Sequence, residues 1–267
     1  MDHQLLVIFC LTFVIHIIGT LAYSVRIAGT RTGRIAISFS LFNILVLVSR
    51  LSNSFQAPLL AKRVEEDLLG QNLTGVEGDF RWLLLAATLA TLAGAMLIPT
   101  FQRLFARAVE SFSTSRSLPK MLLRAVSPAG MAHLCRAVVL PARENITKAW
   151  SPERMSLWIV ILNTVAVAVW TVGVFASLYA GYLHPDLRST ANSLSSVVNG
   201  AATILMFMII DPYLSILTDD VAGKRAGEAY FRRSIVWFVG SRLVGTLLAQ
   251  VLLVPAAHFI VFVAEKI

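Results

Sequence analysis

The sequence predicts an all-α integral membrane protein with six transmembrane helices arranged as two inverted three-helix repeats. Three observations lead there. The chain has 267 residues, of which 57% are hydrophobic and 14% charged. Its mean hydropathy is +0.73. Those values belong to a polytopic membrane protein, not to a soluble domain. Apolar stretches long enough to cross a bilayer recur along the chain. Short segments of the first half are also echoed in the second at a constant offset.

The predicted spans are residues 4–25, 35–60, 82–101, 155–180, 190–211 and 234–263. The first is not preceded by lysine or arginine, so a cleaved signal peptide is not expected. The second, IAISFSLFNILVLVSRLSNSFQAPLL, is apolar over most of its 26 residues yet carries Asn43 and Arg50. The third and fourth flank a long basic loop. Proline follows or interrupts several spans, with Pro58 and Pro212 near the ends of the second and fifth and Pro255 within the sixth.

Three segments follow from this layout: a three-helix half at 1–101, a basic cytoplasmic linker at 102–154, and a second three-helix half at 155–267. In the linker, Phe101, Leu104, Phe105, Ala108 and Phe112 share one helical face, with Arg103, Arg107 and Glu110 elsewhere. Apolar patches recur at 121–126 and 133–140, punctuated by Pro119, Pro128 and Pro141, and read as short helices lying on the inner leaflet. Ser151 and Pro152 have the residue types of a capped start to the fourth span.

Orientation follows from the basic residues. The loops at 26–34, 102–154 and 212–233 together hold 16 Lys and Arg, and the opposite side holds 5. The positive-inside rule places the richer side in the cytoplasm and both termini outside. The net charge of +8 is accounted for by these loops facing anionic lipid, and no nucleic-acid partner is expected.

The repeat rests on two echoes. Ser40-Leu41-Phe42-Asn43 recurs as Ser196-Val197-Val198-Asn199, an offset of 156 residues. At the same offset, LAGAMLIP at 92–99 recurs as LAQVLLVP at 248–255, identical at four of eight positions. Each half has an odd number of spans, so the halves run in opposite senses across the membrane. Inverted repeats are a transporter architecture with the substrate site between them near the midplane.

Polar residues inside the spans are the candidate site. Once the loops are counted, Arg50 and Arg242 are the two basic residues left deep within spans, and no acid lies deep in one; Asp211 sits at the end of the fifth. An arginine at mid-membrane costs roughly 2.5–3.5 kcal/mol on insertion scales, and a chain that keeps one faces it toward a cavity or a partner. From the predicted cytoplasmic ends of their spans, Arg242 lies roughly 12 Å deep and Arg50 roughly 22 Å deep at the helical rise. An anionic ligand would supply the missing counter-charge, and a guanidinium fork suits phosphate or diphosphate. Ser40, Asn43, Arg50 and Ser54 share a helix face, as do Asn192, Ser196, Asn199 and Thr203, and as do Thr12, His16, Thr20 and Tyr23. Such stripes also occur as hydrogen-bonded helix packing. Arg26, Arg31 and Arg34 stand at the cytoplasmic mouth, either as topology determinants or as a recruiting surface for an anionic headgroup.

The chemistry that is missing narrows the field. There is no Walker motif and no His-Glu-x-x-His. The acids Asp211, Asp219 and Asp220 have no membrane-embedded carboxylate partners for a magnesium-dependent lipid transferase. The two cysteines, Cys10 and Cys135, form neither a disulfide framework nor a metal spacing. No catalytic residue, metal or cofactor is assigned, and an enzyme is not expected.

Residues 21–60, LAYSVRIAGTRTGRIAISFSLFNILVLVSRLSNSFQAPLL, resemble the bacterial lipid II flippase Amj family. The Arg31-Thr32-Gly33 loop and the segment from Ser40-Leu41-Phe42-Asn43 to Ser49-Arg50 carry the likeness, which extends over most of the chain. The resemblance implies a multi-pass protein of the bacterial plasma membrane that moves lipid II, the undecaprenyl-diphosphate-linked peptidoglycan precursor, from the inner to the outer leaflet for cell-wall synthesis. It implies the wall-synthesis machinery as a candidate partner and assigns no residue roles. Two other readings stay open: a membrane-embedded enzyme acting on a polyprenyl (di)phosphate, and a non-transporting scaffold for wall enzymes.

Overall fold

A computed structural model describes residues 2–70, 75–115, 117, 127, 136–142 and 155–267. Helices occupy almost all of them: α1 (His3–Thr32), α2 (Ile35–Leu69), α3 (Gly75–Ser115), α4 (Leu157–Leu183), α5 (Arg188–Leu205), α6 (Asp211–Ala222) and α7 (Glu228–Ala264). A 3-10 turn at Pro185–Leu187 precedes α5, and a π-helical segment at Met206–Ile210 joins α5 to α6. Among the described residues, six helical stretches, counting α5 through α6 as one, are long and apolar enough to span a membrane. This is the expected all-α, six-span fold.

The helices outrun the apolar runs that announced them. α2 continues through Pro58 to Leu69, so most of the expected 61–81 loop is helix. α3 passes Pro99 and reaches Ser115. The expected interfacial helix at 101–112 is therefore the far end of α3. Its Phe105 is buried against Phe42 of α2, which turns that face inward instead of leaving it on a lipid surface. Pro255 is likewise carried inside α7. Residues 121–126, 133–135 with Cys135 among them, and the Ser151-Pro152 cap lie outside the described residues. The piece at 136–142 is held against α3, where Thr100 Oγ1 donates to the Val139 carbonyl at 3.1 Å and accepts from the Val139 N–H at 2.9 Å.

Packing follows one scheme in each half. α1 packs against both α2 and α3, and α4 against both α5 and α7; α3 and α7 meet across the halves. α2 and α5 are the least buried spans. They do not pack along one another. They approach at one end, where Leu60 and Val64 of α2 and Ala191, Leu194 and Val198 of α5 join an apolar cluster with Phe175 and Leu178 of α4. The Arg188–Glu65 ion pair at 3.4 Å bridges the same end. Polar ties gather there too: Arg63 bonds both Asp2 and Asp79, and Tyr179 Oη donates to Glu77 at 3.2 Å. The opposite end is built differently. There α2 packs through Phe42 on α1 and α3, while Ile210 and Leu214 join Tyr23, Ile27 and Phe238.

Small residues set the helix spacing. A Cβ on Gly245 would stand 2.8 Å from the Thr164 carbonyl and 2.9 Å from Val167 Cβ, so α7 rests directly on the α4 backbone. On the same helix Gly240 has open space around it. Gly245→Leu is expected to cost about 1–3 kcal/mol through overpacking. Gly240→Ala should stay within about 0.5 kcal/mol of the parent. Thermal melts of the purified protein in detergent check both.

Candidate functional site

α1 and α4 form the floor of a cleft whose walls are α2 and α5. In it lies a cavity of about 60 Å³ lined by Thr12, Ile15, His16, Asn53, Gln56, Trp170, Thr171, Val174, Phe175 and Asn199. That is room for several waters. Part of the lining is internally satisfied: Gln56 Nε2 donates to Thr12 Oγ1 at 2.7 Å, and Thr12 in turn donates to the Ile8 carbonyl at 2.8 Å. The rest is not. His16 Nδ1, Thr171 Oγ1 and Asn199 Oδ1 are buried without a hydrogen-bond partner. Unpaired polar atoms are costly in a dry interior, so three in one cavity mark a place made for water or a polar ligand.

Arg242 lies beside this cavity and is 7% exposed. Its Nε has no acceptor, and among the described residues no carboxylate pairs with it. The guanidinium lies against Gly19 of α1, at a distance that leaves no room for a Cβ there. Gly19 is one turn from His16 on the same face of α1, and the Arg242 charge acts on both His16 and Tyr23. The neighbouring Ser241 is fixed by Asn163, whose Nδ2 donates to Ser241 Oγ at 2.7 Å. Asn199 is seated in a similar way, over Gly173 of α4 and too close for any side chain at that position.

The cavity therefore has two of the expected residues, His16 and Asn199, in its lining, and Arg242 lies against Gly19, one turn of α1 from His16. The others lie elsewhere. Asn43 and Arg50 are on the exposed side of α2, as are Ser40 and Ser54. α2 turns a different face inward, with Phe42, Ser52, Gln56 and Leu60 buried, because its large apolar groups are claimed by α1, α3 and α4. Asn53 and Gln56 take the places at the cavity that the Asn43–Arg50 stripe was expected to fill. They are polar residues of the same span, but on the helical wheel Asn53 lies about a quarter turn from the expected stripe and Gln56 close to half a turn. Trp170 and Thr171 had no comparable signal in the strongly apolar α4.

Arg26 requires a correction. Counted as a loop residue at the mouth, it lies inside α1, 7% exposed. Its Nη2 bonds Asp211 Oδ1 at 3.1 Å, its Nη1 donates to Ser215 Oγ at 3.2 Å, and the guanidinium stands 5.0 Å from the Phe39 ring centre. Asp211 is thus not simply the terminus of the fifth span. It follows the π segment, in the first turn of α6, and its carboxylate is turned to α1. Arg31 and Arg34 are exposed at this end of the bundle. Arg31 has Arg103, Arg232 and Glu228 as electrostatic neighbours.

Two buried arginines thus differ in kind. Arg26 has an acid; Arg242 has none. Arg26→Met should lower the melting temperature by leaving Asp211 without its cation. Arg242→Met should raise it, since an apolar side chain replaces a buried charge that has no carboxylate partner among the described residues. Paired melts of the two variants decide this.

The chain is 35% identical over 264 residues to the lipid II flippase Amj of Bacillus subtilis (strain 168), covering 98% of this chain and 97% of that protein. No solved structure matches it. The family described as "Amj: Alternate to MurJ" matches residues 11–264, and this multi-pass membrane protein belongs to that family.

Proposed function

We propose that this protein is a lipid II flippase of the bacterial plasma membrane, carrying the diphosphate-linked precursor from the inner to the outer leaflet for peptidoglycan synthesis. The observation that carries the reading is the end-to-end similarity to a protein named as a lipid II flippase. The cavity supplies the chemistry. Lipid II has a diphosphate, a sugar–peptide headgroup and a long polyprenyl tail. The diphosphate pairs with Arg242, the buried cation without a counter-charge. His16, Asn199, Asn53, Gln56 and Thr171 offer hydrogen bonds around it. The gap between α2 and α5 leaves the tail in lipid while the headgroup is inside. Asn43 and Arg50, on the outward side of α2, form a polar approach along the gap. Arg31 and Arg34 collect the anionic headgroup at the basic end.

Two further assignments belong to this reading. The basic end is cytoplasmic and both termini are extracytoplasmic, by the excess of Lys and Arg in the loops between the first and second, third and fourth, and fifth and sixth spans. Residues 1–101 and 155–267 form two inverted repeats joined by the 102–154 linker; the matching helix pairings in the two halves support it. The cleft is then closed on the outer side by Leu60, Val64 and the Glu65–Arg188 pair. The family points to transport, not catalysis.

The test is external access to lipid II. In cells lacking any other flippase, expression of this protein should expose lipid II to an added enzyme that cleaves it from outside. Arg242→Ala should reduce the cleaved product at least about tenfold, which corresponds to the loss of one charge-assisted contact. Arg50→Ala reports on the polar approach. Protected lipid II in cells that express the protein well would sink the flippase assignment and bring forward an enzyme or a scaffold.

A further inference from the structure

Arg242 brings one positive charge to the cavity, and the diphosphate of a polyprenyl-diphospho-sugar carries two negative charges at neutral pH. Ordinary anionic phospholipids, which outnumber any carrier lipid in the membrane, present a phosphodiester with one. A site with a single fixed cation would match the abundant lipid and leave the rarer one with an uncompensated charge in a low-dielectric cavity, where such a charge is most costly. Selection of the diphosphate calls for a second cation that is present only when needed.

His16 has the properties of that cation. It is 4% exposed, lines the cavity, and its Nδ1 has no partner. Its ring is braced by Trp170, with ring centres 5.4 Å apart. It stands one turn of α1 from the glycine on which the Arg242 guanidinium rests. Histidine is the side chain that gains or loses charge near neutral pH. Few other charges reach it. Arg242 comes from α7, and Tyr23 lies two turns along α1. α2 presents Asn53 and Gln56, α4 Trp170 and Thr171, and α5 Asn199. Arg50 of α2 is on the exposed side, and α3 has no charged residue between Arg81 and Arg103.

We propose, building on the flippase reading, that His16 is the charge-matching residue of the cavity: it takes up a proton as a diphosphate enters, so that a dianion is held between imidazolium and guanidinium. Empty, the cavity would place two like charges side by side, and the imidazole stays neutral. A phosphodiester monoanion is balanced by Arg242 alone and does not recruit the proton. A dianion does. The proton comes from water in the cleft to a ring nitrogen and returns to water when the lipid leaves, so the device requires no proton gradient. It makes His16 a determinant of specificity for two phosphates over one.

Binding measurements on the full-length purified protein test this. The probes are farnesyl-diphospho-N-acetylglucosamine and farnesyl-phospho-N-acetylglucosamine, titrated calorimetrically from about pH 6 to 9, the range that brackets histidine ionisation. The wild type should prefer the diphosphate at the acid end. That preference should fall by up to about tenfold per pH unit as the site loses its proton. Buffers of different ionisation enthalpy should show about one proton taken up per diphosphate bound and none for the monophosphate. His16→Gln should bring the diphosphate down to the affinity of the monophosphate, and His16→Lys should keep the preference without its pH dependence. Diphosphate binding without proton uptake by the wild type overturns the proposal, and so does a pH-dependent preference that survives in His16→Gln. Failure to bind either probe would count against the flippase reading itself and is distinct from both.

Discussion

Arg242 is a buried cation with no carboxylate partner among the described residues, and its surroundings accommodate that. Removing a guanidinium from water costs several kcal/mol, and a salt bridge recovers part of this only when the partner is present. The Asp211 carboxylate is bonded to Arg26, on the next turns of α1. What Arg242 receives instead is space and polarity. Gly19 removes the side chain that would collide with it, and a cavity with unpaired polar atoms adjoins it. A fold selected for stability alone would have replaced such a residue by leucine or methionine. Its presence is the kind of cost that sites of function carry.

The architecture around it separates what is anchored from what is free. α6 is tied to α1 through Arg26, Asp211 and Ser215. α5, the next helix back along the chain, is only lightly buried, and the two are joined by the π segment Met206–Ile210 followed by Pro212. A π turn loosens the hydrogen-bond ladder, and a proline removes one of its donors. The junction is therefore a natural hinge between a fixed α6 and a movable α5. At the other end α5 is held to α2 by apolar contact and by Arg188–Glu65. The side chains of that pair are 45% and 52% exposed, so the bond is weak and easily exchanged for water. On the proposed flippase reading, a cavity of about 60 Å³ must widen to admit a diphosphate, and α2 and α5 are the least buried of its walls.

The sequence announced the spans well and their limits poorly, for a physical reason. An apolar run reports the part of a helix that meets lipid. It says little about whether the helix continues into water, as α2 does to Leu69 and α3 to Ser115, where packing and local propensity decide. Facing is harder still. Arg50 and Arg242 are the same residue type and both lie deep within predicted spans, yet one is exposed and the other buried. α2 is apolar around most of its circumference, so its rotation is set by which large side chains its neighbours accept, and that information lies in α1, α3 and α4. Arg26 shows the same limit. Its acid is 185 residues away in sequence, beyond any spacing rule.

Charge accounting carried over only in part: of the two basic residues expected deep in the spans Arg242 is buried and Arg50 exposed, while Arg26, counted with a loop, is buried in α1. The spans were expected to hold more basic than acidic charge, and the structure sharpens this by assigning Asp211 to Arg26. Had the carboxylate met Arg242, the cavity would be neutral and its polar atoms would read as helix packing. Because it is spent elsewhere, the space between the halves is left with a cation and three unsatisfied polar groups. On the proposed reading both kinds of deficit are met by one kind of guest, an anion with several oxygen atoms. Exposed groups on lightly buried helices bear on how such a guest arrives, but it is the unpaired interior that determines its chemistry.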